Sequence, residues 1–190
     1  YSARFMGESG YFVTYEQVDP LFSVDLSDPE KPKILGKLKI PGFSEYLHFY
    51  GEDRLLGIGM STDEESGVAE GVKITMFNIS DRSDVKEEST LVLDDLYGSH
   101  AAYDYKSVLA DPEKNVIGLS GYSQNGESYY LLTYNRTDRK FETILQEEVN
   151  GNTSQGIRGI YIEDTLYVIS GNIIEAYDMN TGVKSGDIIL

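Results

Sequence analysis

Residues 21–40 read LFSVDLSDPEKPKILGKLKI: a short apolar run ends at Asp25, a turn rich in Asp, Ser and Pro follows, and a second alternating run begins. Asp and Asn side chains accept hydrogen bonds from backbone N–H groups about two residues ahead, so they open turns. The stretch therefore predicts a strand, a polar turn opened by Asp25 and a second strand, which together form a β-hairpin.

The same pattern returns three times, as ITMFNISD (74–81), LLTYNRTD (131–138) and IIEAYDMNTG (173–182). Aligning the four stretches places one Asp or Asn at the start of each turn, namely Asp25, Asn78, Asn135 and Asp178. A small polar residue follows two positions later in each case, namely Ser27, Ser80, Thr137 and Asn180. Two further strand candidates precede each hairpin, such as YSARFMG (1–7) and YFVTYEQ (11–17) in the first unit and YDYKSVLAD (103–111) in the third. Each unit therefore predicts four antiparallel strands.

Four antiparallel strands that repeat about every 45 to 55 residues are typical of the blades of a beta-propeller. We expect an all-β fold of four four-stranded blades that is part of a larger propeller. The blades are expected at about residues 1–42, 43–95, 96–150 and 151–190. The alternatives are an irregular barrel and a pair of immunoglobulin-like sandwiches. A sandwich pair would need about 90 residues per domain and would show no fourfold register.

The composition limits the function classes. The chain carries 32 acidic and 16 basic residues, a formal net charge of −16, which repels nucleic acid and anionic membranes. It has no cysteine, so disulfides, cysteine nucleophiles and cysteine-ligated zinc are excluded. The sequence contains no run of about 18 apolar residues, so it predicts no membrane-spanning helix. The partners that remain are a protein, a peptide or a glycan.

Three stretches carry a family resemblance: residues 17–48 (QVDPLFSVDLSDPEKPKILGKLKIPGFSEYLH), 102–119 (AYDYKSVLADPEKNVIGL) and 162–190 (IEDTLYVISGNIIEAYDMNTGVKSGDIIL). They resemble the beta-propeller domain family of secreted bacterial and archaeal proteins, which is distantly similar to WD-repeat propellers. In the second stretch, Tyr105 stands where that family usually has His. The resemblance implies an exported prokaryotic protein, placed outside the cell or on its surface, of which these are the C-terminal blades. It implies no activity and no catalytic residue.

The chain starts with Tyr1 rather than Met, so we expect a piece of a longer protein. Four blades of this length either close into a ring or leave two apolar blade faces uncovered. Uncovered apolar faces seek partners. We favour an open arrangement in which two copies associate through their terminal blades.

The two histidines are His48, in EYLHFY, and His100, in YGSHAAYD. We expect His48 to be a structural or surface residue. Asp104 follows His100 by four residues, from where a carboxylate would orient the imidazole. Neither G-x-S-x-G nor H-E-x-x-H is present. We therefore predict that His100 and Asp104 belong to a ligand-binding turn near the central channel rather than to a catalytic centre.

An acidic loop, STDEESGVAEG (61–71), separates two predicted strands of the second blade. It offers four carboxylates to a hard cation such as calcium, from Asp63, Glu64, Glu65 and Glu70. The loop lacks the D-x-D-x-D-G spacing that makes such ligands converge. We expect a solvated loop and no cofactor, with calcium as the one metal that these four residues would bind.

These observations favour a non-catalytic extracellular scaffold that binds a protein, peptide or glycan. The alternative is a propeller hydrolase or lyase with carboxylates or His100 at the mouth of the channel. A structural cell-surface module without a ligand of its own is the third interpretation. Carboxylates clustered near the loops, with raised pKa values, would favour the enzyme.

Overall fold

The computed structural model describes residues 2–14, 20–63, 65–150 and 156–190. The chain forms two compact units, residues 1–94 and 95–190. Each unit contains two antiparallel sheets, and we name the four sheets blades 1 to 4 in chain order.

In the first unit, each blade is a meander in which consecutive strands are hydrogen-bonded neighbours. Blade 1 consists of β1 (Ser2–Met6), β2 (Ser9–Val13), β3 (Pro20–Asp25) and β4 (Lys33–Lys39). Blade 2 consists of β5 (Phe43–Phe49), β6 (Arg54–Thr62), β7 (Ala69–Asn78) and β8 (Lys86–Leu93).

In the second unit, the meander repeats with one addition. Blade 3 consists of β10 (Leu109–Asp111), β11 (Val116–Ser123), β12 (Gly126–Asn135) and β13 (Lys140–Glu148), preceded by the short β9 (Gly98–Ser99). Two short 3-10 helices, His100–Ala102 and Tyr105–Ser107, lie between β9 and β10. Blade 4 consists of β14 (Ile157–Ile162), β15 (Thr165–Ser170), β16 (Ile173–Asp178) and β17 (Lys184–Ile189). The predicted all-β fold of four antiparallel blades is therefore confirmed.

Each unit has its own core between its two blades. In the first unit, Tyr11 and Leu21 of blade 1 belong to one buried cluster with Leu55 and Phe77 of blade 2. In the second unit, the cluster includes Tyr129 and Leu131 of blade 3 and Leu166 and Tyr177 of blade 4. At least half of the residues in the fourth strand of each blade are exposed, and in β17 all of them are. The second and third strands therefore contribute most of the core.

The repeated turn chemistry is confirmed in all four blades. At the end of the third strand of each blade, the Asp or Asn side-chain oxygen accepts a hydrogen bond from the backbone N–H two residues ahead. The distance is 3.0 Å in every blade, for the pairs Asp25–Ser27, Asn78–Ser80, Asn135–Thr137 and Asp178–Asn180. One local interaction thus reverses the chain before the fourth strand of each blade.

The structure adds one short strand to the four predicted for blade 3 and shortens another. Blade 3 has a fifth strand, because β9 pairs with β11 through Gly98 and Ser99. The strand predicted at 103–111 is extended only in β10 (Leu109–Asp111). Asp104 accepts a hydrogen bond from the backbone N–H of Lys106 at 3.0 Å, and this side-chain cap favours a 3-10 turn over a strand. Of the predicted strands in residues 1–7 and 11–17, residue 1 and residues 15–17 lie outside the described part.

Within the described ranges, we find no helix with the length and hydropathy required to cross a bilayer.

Candidate functional site

His100 opens the first 3-10 helix of blade 3 and is only 7% exposed. Ser99 caps this helix, since its hydroxyl accepts a hydrogen bond from the backbone N–H of Ala101 at 3.2 Å. Both ring nitrogens of His100 face polar groups: the Ser120 hydroxyl lies 3.0 Å from Nδ1, and Oε2 of Glu127 lies 3.2 Å from Nε2. These contacts hold the imidazole in one orientation.

The partner that orients His100 is therefore Glu127 and not Asp104, as the sequence spacing had indicated. Asp104 instead caps the second 3-10 helix, and its backbone N–H donates to the carbonyl oxygen of His100 at 2.9 Å. Glu127 lies 27 residues after His100 and begins the strand that pairs with β11, where Tyr122 is its direct partner. The cross-strand register of this hairpin, rather than a local motif, brings Glu127 to the site.

A hydroxyl, an imidazole and a carboxylate in a row also occur in serine hydrolases. Here, however, Ser120 is completely buried, so its hydroxyl is not open to a substrate. The Glu127 Oε2 atom is likewise shielded, and among the described residues no donor makes a hydrogen bond of good geometry to it. The arrangement therefore positions side chains rather than presenting a nucleophile.

Four exposed tyrosines lie within residues 97–122 of blade 3, the segment that also carries His100 and Ser120, and we call them the tyrosine surface. Their exposed fractions are 54% for Tyr97, 69% for Tyr103, 64% for Tyr105 and 39% for Tyr122. No other tyrosine in the described ranges is as open to solvent as these four. Tyrosine is enriched in protein interfaces, because its ring buries apolar area while its hydroxyl stays hydrated.

Two of these rings are fixed by the centre beneath them. Tyr103 and Tyr122 both meet the His100 ring edge-on, with centroid distances of 5.6 and 5.9 Å. Tyr122 also lies directly on Gly98, where an added Cβ would come within 2.4 Å of the Tyr122 hydroxyl. In addition, the backbone N–H of Tyr97 donates to the carbonyl oxygen of Tyr122 at 2.9 Å.

The electrostatic environment of the tyrosine surface is negative. The pKa of the Tyr103 hydroxyl is raised, first by partial burial and then by Tyr122, Glu127 and Asp104. Both carboxylates therefore act on the Tyr103 hydroxyl. The nearby cation is Lys106, whose Nζ lies 5.8 Å from the ring centroid of Tyr105.

The acidic loop between β6 and β7 does not gather its carboxylates. Asp63 accepts hydrogen bonds from the backbone N–H groups of Ser66 and Glu65 at 2.8 and 3.2 Å, so it closes a local turn. These hydrogen bonds, above all those from Ser66, lower the pKa of Asp63. Glu70 instead accepts from the Ser61 hydroxyl at 3.1 Å.

Glu64 of this loop lies outside the described residues. Across the ranges that the structure describes, no group of three or more His, Cys, Asp or Glu side chains is placed to hold a metal ion. Calcium binding by Asp63, Glu64, Glu65 and Glu70 therefore stays a prediction.

His48 occupies a second polar cluster, in the first unit. Its Nδ1 lies 3.0 Å from the Tyr46 hydroxyl, and the guanidinium of Arg4 lies 4.8 Å from the Tyr46 ring centroid. Burial, and then the positive charge of Arg4, lower the pKa of His48. The Arg4 Nε donates to the carbonyl oxygen of Leu47, which ties β1 to β5. This contact gives the cluster a structural role between blades 1 and 2.

A shallow groove of about 450 Å³ opens at the turn of blade 3. It is lined by Asn115, Thr133, Tyr134, Asn135, Arg136 and Glu142. Asn135 and Glu127 are at opposite ends of β12, so the groove is separate from the tyrosine surface. Its one aromatic residue, Tyr134, is 1% exposed and offers little contact area.

Comparison with known proteins supports the beta-propeller fold. The sequence model described as "Beta propeller domain" matches residues 1–182, and the chain belongs to this beta-propeller family. The chain is also similar to Saccharomyces cerevisiae Sqt1, with a TM-score of 0.60 over 100% of this chain and 50% of that one. At 14% sequence identity, this similarity concerns the fold alone.

Two archaeal proteins are similar in sequence. An uncharacterized protein of Archaeoglobus fulgidus is 40% identical over 190 residues, covering 100% of this chain and 28% of that protein. The uncharacterized protein MJ1554 of Methanocaldococcus jannaschii is 35% identical over 180 residues, covering 95% of this chain and 26% of that protein. The chain thus spans about a quarter of the length of these relatives.

Proposed function

We propose that this chain is a non-catalytic interaction module that binds a protein partner through the tyrosine surface of blade 3. The observation that carries the proposal is the concentration of Tyr97, Tyr103, Tyr105 and Tyr122 on one blade, each at least 39% exposed. Propellers present loops from several blades, and protein interaction is a general use of the fold.

The anchoring of the rings also supports binding. A side chain that is already held in place loses less conformational freedom when a partner covers it. Tyr122 is held by Gly98 and His100, and His100 is held by Ser120 and Glu127. The surface therefore offers rigid aromatic area, which is the type of contact found at the energetic centres of interfaces.

A displayed library of random peptides tests this proposal. Peptides selected on the wild-type chain are expected to bind at least about tenfold more weakly to Tyr103→Ala and to Tyr122→Ala. Val68→Ala is the matched control, because Val68 is an apolar side chain that is 63% exposed between β6 and β7 of blade 2 and should not affect binding. Peptides that bind all four proteins equally would contradict the proposal. Selection of glycans but no peptides, on a glycan array, would replace the protein partner by a carbohydrate.

A hydrolase is the second candidate, favoured by the contacts of His100 with Ser120 and Glu127. It requires Ser120 to become accessible, because the residue is fully buried. Labelling with a fluorophosphonate probe separates the two functions. We expect no label on the folded wild-type chain, whereas label that disappears in Ser120→Ala would favour the hydrolase.

We further propose that two copies associate through the terminal blades. Blade 4 exposes apolar side chains on its first and last strands, namely Ile160, Ile162, Ile188 and Ile189. Exposed apolar area of this kind favours association. Light scattering should give a mass above the 21.2 kDa of one chain, rising with concentration. A constant 21.2 kDa would contradict self-association.

Finally, we propose that the protein acts outside the cell or on its surface, which the family resemblance supports. Protease added to intact cells should then degrade it. Complete protection in intact cells, with degradation after lysis, would place it inside.

A further inference from the structure

We propose that the tyrosine surface binds a lysine or arginine side chain of its partner on the exposed rings of Tyr103 and Tyr122. The carboxylates of Glu127 and Asp104 supply the opposite charge. This inference rests on the proposed function, since it names the chemistry of the partner segment that the same surface binds.

The two rings provide a suitable contact for a cation. The face of an aromatic ring carries negative potential and attracts an ammonium or guanidinium group within about 6 Å. Tyr103 and Tyr122 meet the same imidazole with their planes at 73° and 77° to it. Exposed fractions of 69% for Tyr103 and 39% for Tyr122 leave ring area open to a partner.

The two carboxylates retain unused acceptor capacity. The Glu127 Oε2 atom is shielded from water and lacks a hydrogen-bond donor within the described ranges, although His100 Nε2 lies 3.2 Å away. Asp104 uses Oδ1 to cap the 3-10 helix, and the structure gives its Oδ2 no hydrogen bond to a described residue. The Glu127 side chain as a whole is 22% exposed, so its charge acts on a cation at the surface without a hydrogen bond to the shielded Oε2 atom.

The surface already accommodates a cation of its own at one position. Lys106 Nζ lies 5.8 Å from the ring centroid of Tyr105. Across the described ranges, no Lys or Arg lies over the rings of Tyr103 or Tyr122. Two carboxylates against the one charge of Lys106 leave the surface negative. The net charge of −16 adds long-range attraction for a basic segment.

Fluorine NMR of the chain labelled with 3-fluorotyrosine tests the inference. The resonances of Tyr103 and Tyr122 are assigned from the Tyr103→Phe and Tyr122→Phe variants. The probe is Nα-acetyl-lysine amide, and its neutral match is Nα,Nε-diacetyl-lysine amide. We expect the charged probe to shift both resonances saturably and the neutral probe to leave them unchanged.

Charge-removing variants identify the carboxylates. Glu127→Gln and Asp104→Asn should each raise the dissociation constant of the charged probe by about threefold or more, because each removes one charge at similar size. Asn is as good a cap as Asp, so Asp104→Asn retains the 3-10 helix. Glu113→Gln is the matched control and should leave the dissociation constant unchanged. Melting temperatures confirm that each variant is folded.

Four results would overturn the inference. Equal shifts with both probes would exclude charge recognition. Unchanged affinity in both Glu127→Gln and Asp104→Asn would exclude the carboxylates. Equal shifts at Tyr161, on blade 4, would show only general attraction to an acidic protein. If library peptides need Tyr103 and Tyr122 but show no preference for Lys or Arg, the proposed function stands and this inference fails.

Discussion

Alanine in place of Gly159 is expected to destabilise the second unit by about 3 kcal/mol, at the upper end of typical overpacking costs. Gly159 lies in β14 of blade 4, and the hydroxyl of Tyr129 from blade 3 fills the space above it. A Cβ at position 159 would lie 1.8 Å from Oη and 2.4 Å from Cζ of Tyr129. Since Tyr129 is completely buried, its ring has little room to move away.

Tyr129→Phe provides the matched rescue. The Tyr129 hydroxyl is buried and has no hydrogen-bond partner among the described residues, and burial raises its pKa. Removing it should leave the wild-type stability unchanged or raise it by about 1 kcal/mol. In the Gly159→Ala background, the same change removes the contact at 1.8 Å but leaves the one at 2.4 Å. The rescue should therefore be partial, about half of the loss.

Urea unfolding followed by circular dichroism, on the two single variants and the double variant, gives the coupling energy. Gly186→Ala in β17 is the control, because an added Cβ there meets no atom within 4 Å. It should change the free energy of unfolding by less than about 0.5 kcal/mol. A loss below about 0.5 kcal/mol for Gly159→Ala, or no coupling to Tyr129→Phe, would refute the reasoning.

Three shorter predictions concern the turns and the acidic loop. Asn78→Ala should lower the free energy of unfolding in urea by about 1 kcal/mol, because the hydrogen bonds that Ser80 donates to the Asn78 side chain are lost. An unchanged free energy of unfolding would exclude the turn as a source of stability. Hydrogen bonds from the Thr181 hydroxyl and then from its backbone N–H lower the pKa of Asp178. The contribution of this carboxylate to the free energy of unfolding is therefore present above about pH 3.8 and is lost as the pH falls through the lower folded-state pKa. Asp178→Asn should retain the turn and remove this acid dependence, and an unchanged acid profile of melting temperature would contradict the assignment. A calcium chelator should leave the melting temperature within about 2 °C of its starting value, because the acidic loop lacks calcium-ligand spacing, and a larger fall would establish a metal site.

The repeated turns could be predicted because they depend on local chemistry. Asp25 and Asn78 act on a backbone group two residues away, and the interaction needs no other part of the fold. The same local chemistry explains the incorrect strand at 103–111. Asp104 caps a 3-10 helix by the same two-residue interaction, which the apolar pattern of the segment did not indicate.

The candidate site could be predicted only in part. His100 was identified as the centre of a turn, but its partners Ser120 and Glu127 come from two other strands. Their positions depend on the register of the β11–β12 hairpin, in which Tyr122 opposes Glu127. The position of Tyr122 depends on that same register and on Gly98, so spacing along the chain did not show it.

The most direct test of the interaction surface is the dissociation constant of the strongest library-selected peptide for wild type and for the Tyr103→Ala/Tyr122→Ala double variant. Isothermal titration calorimetry measures both, with Val68→Ala as the control and melting temperature as the test of folding. The account predicts an increase of at least about tenfold for the double variant and no change for the control. A folded double variant that binds within about twofold of wild type would contradict it.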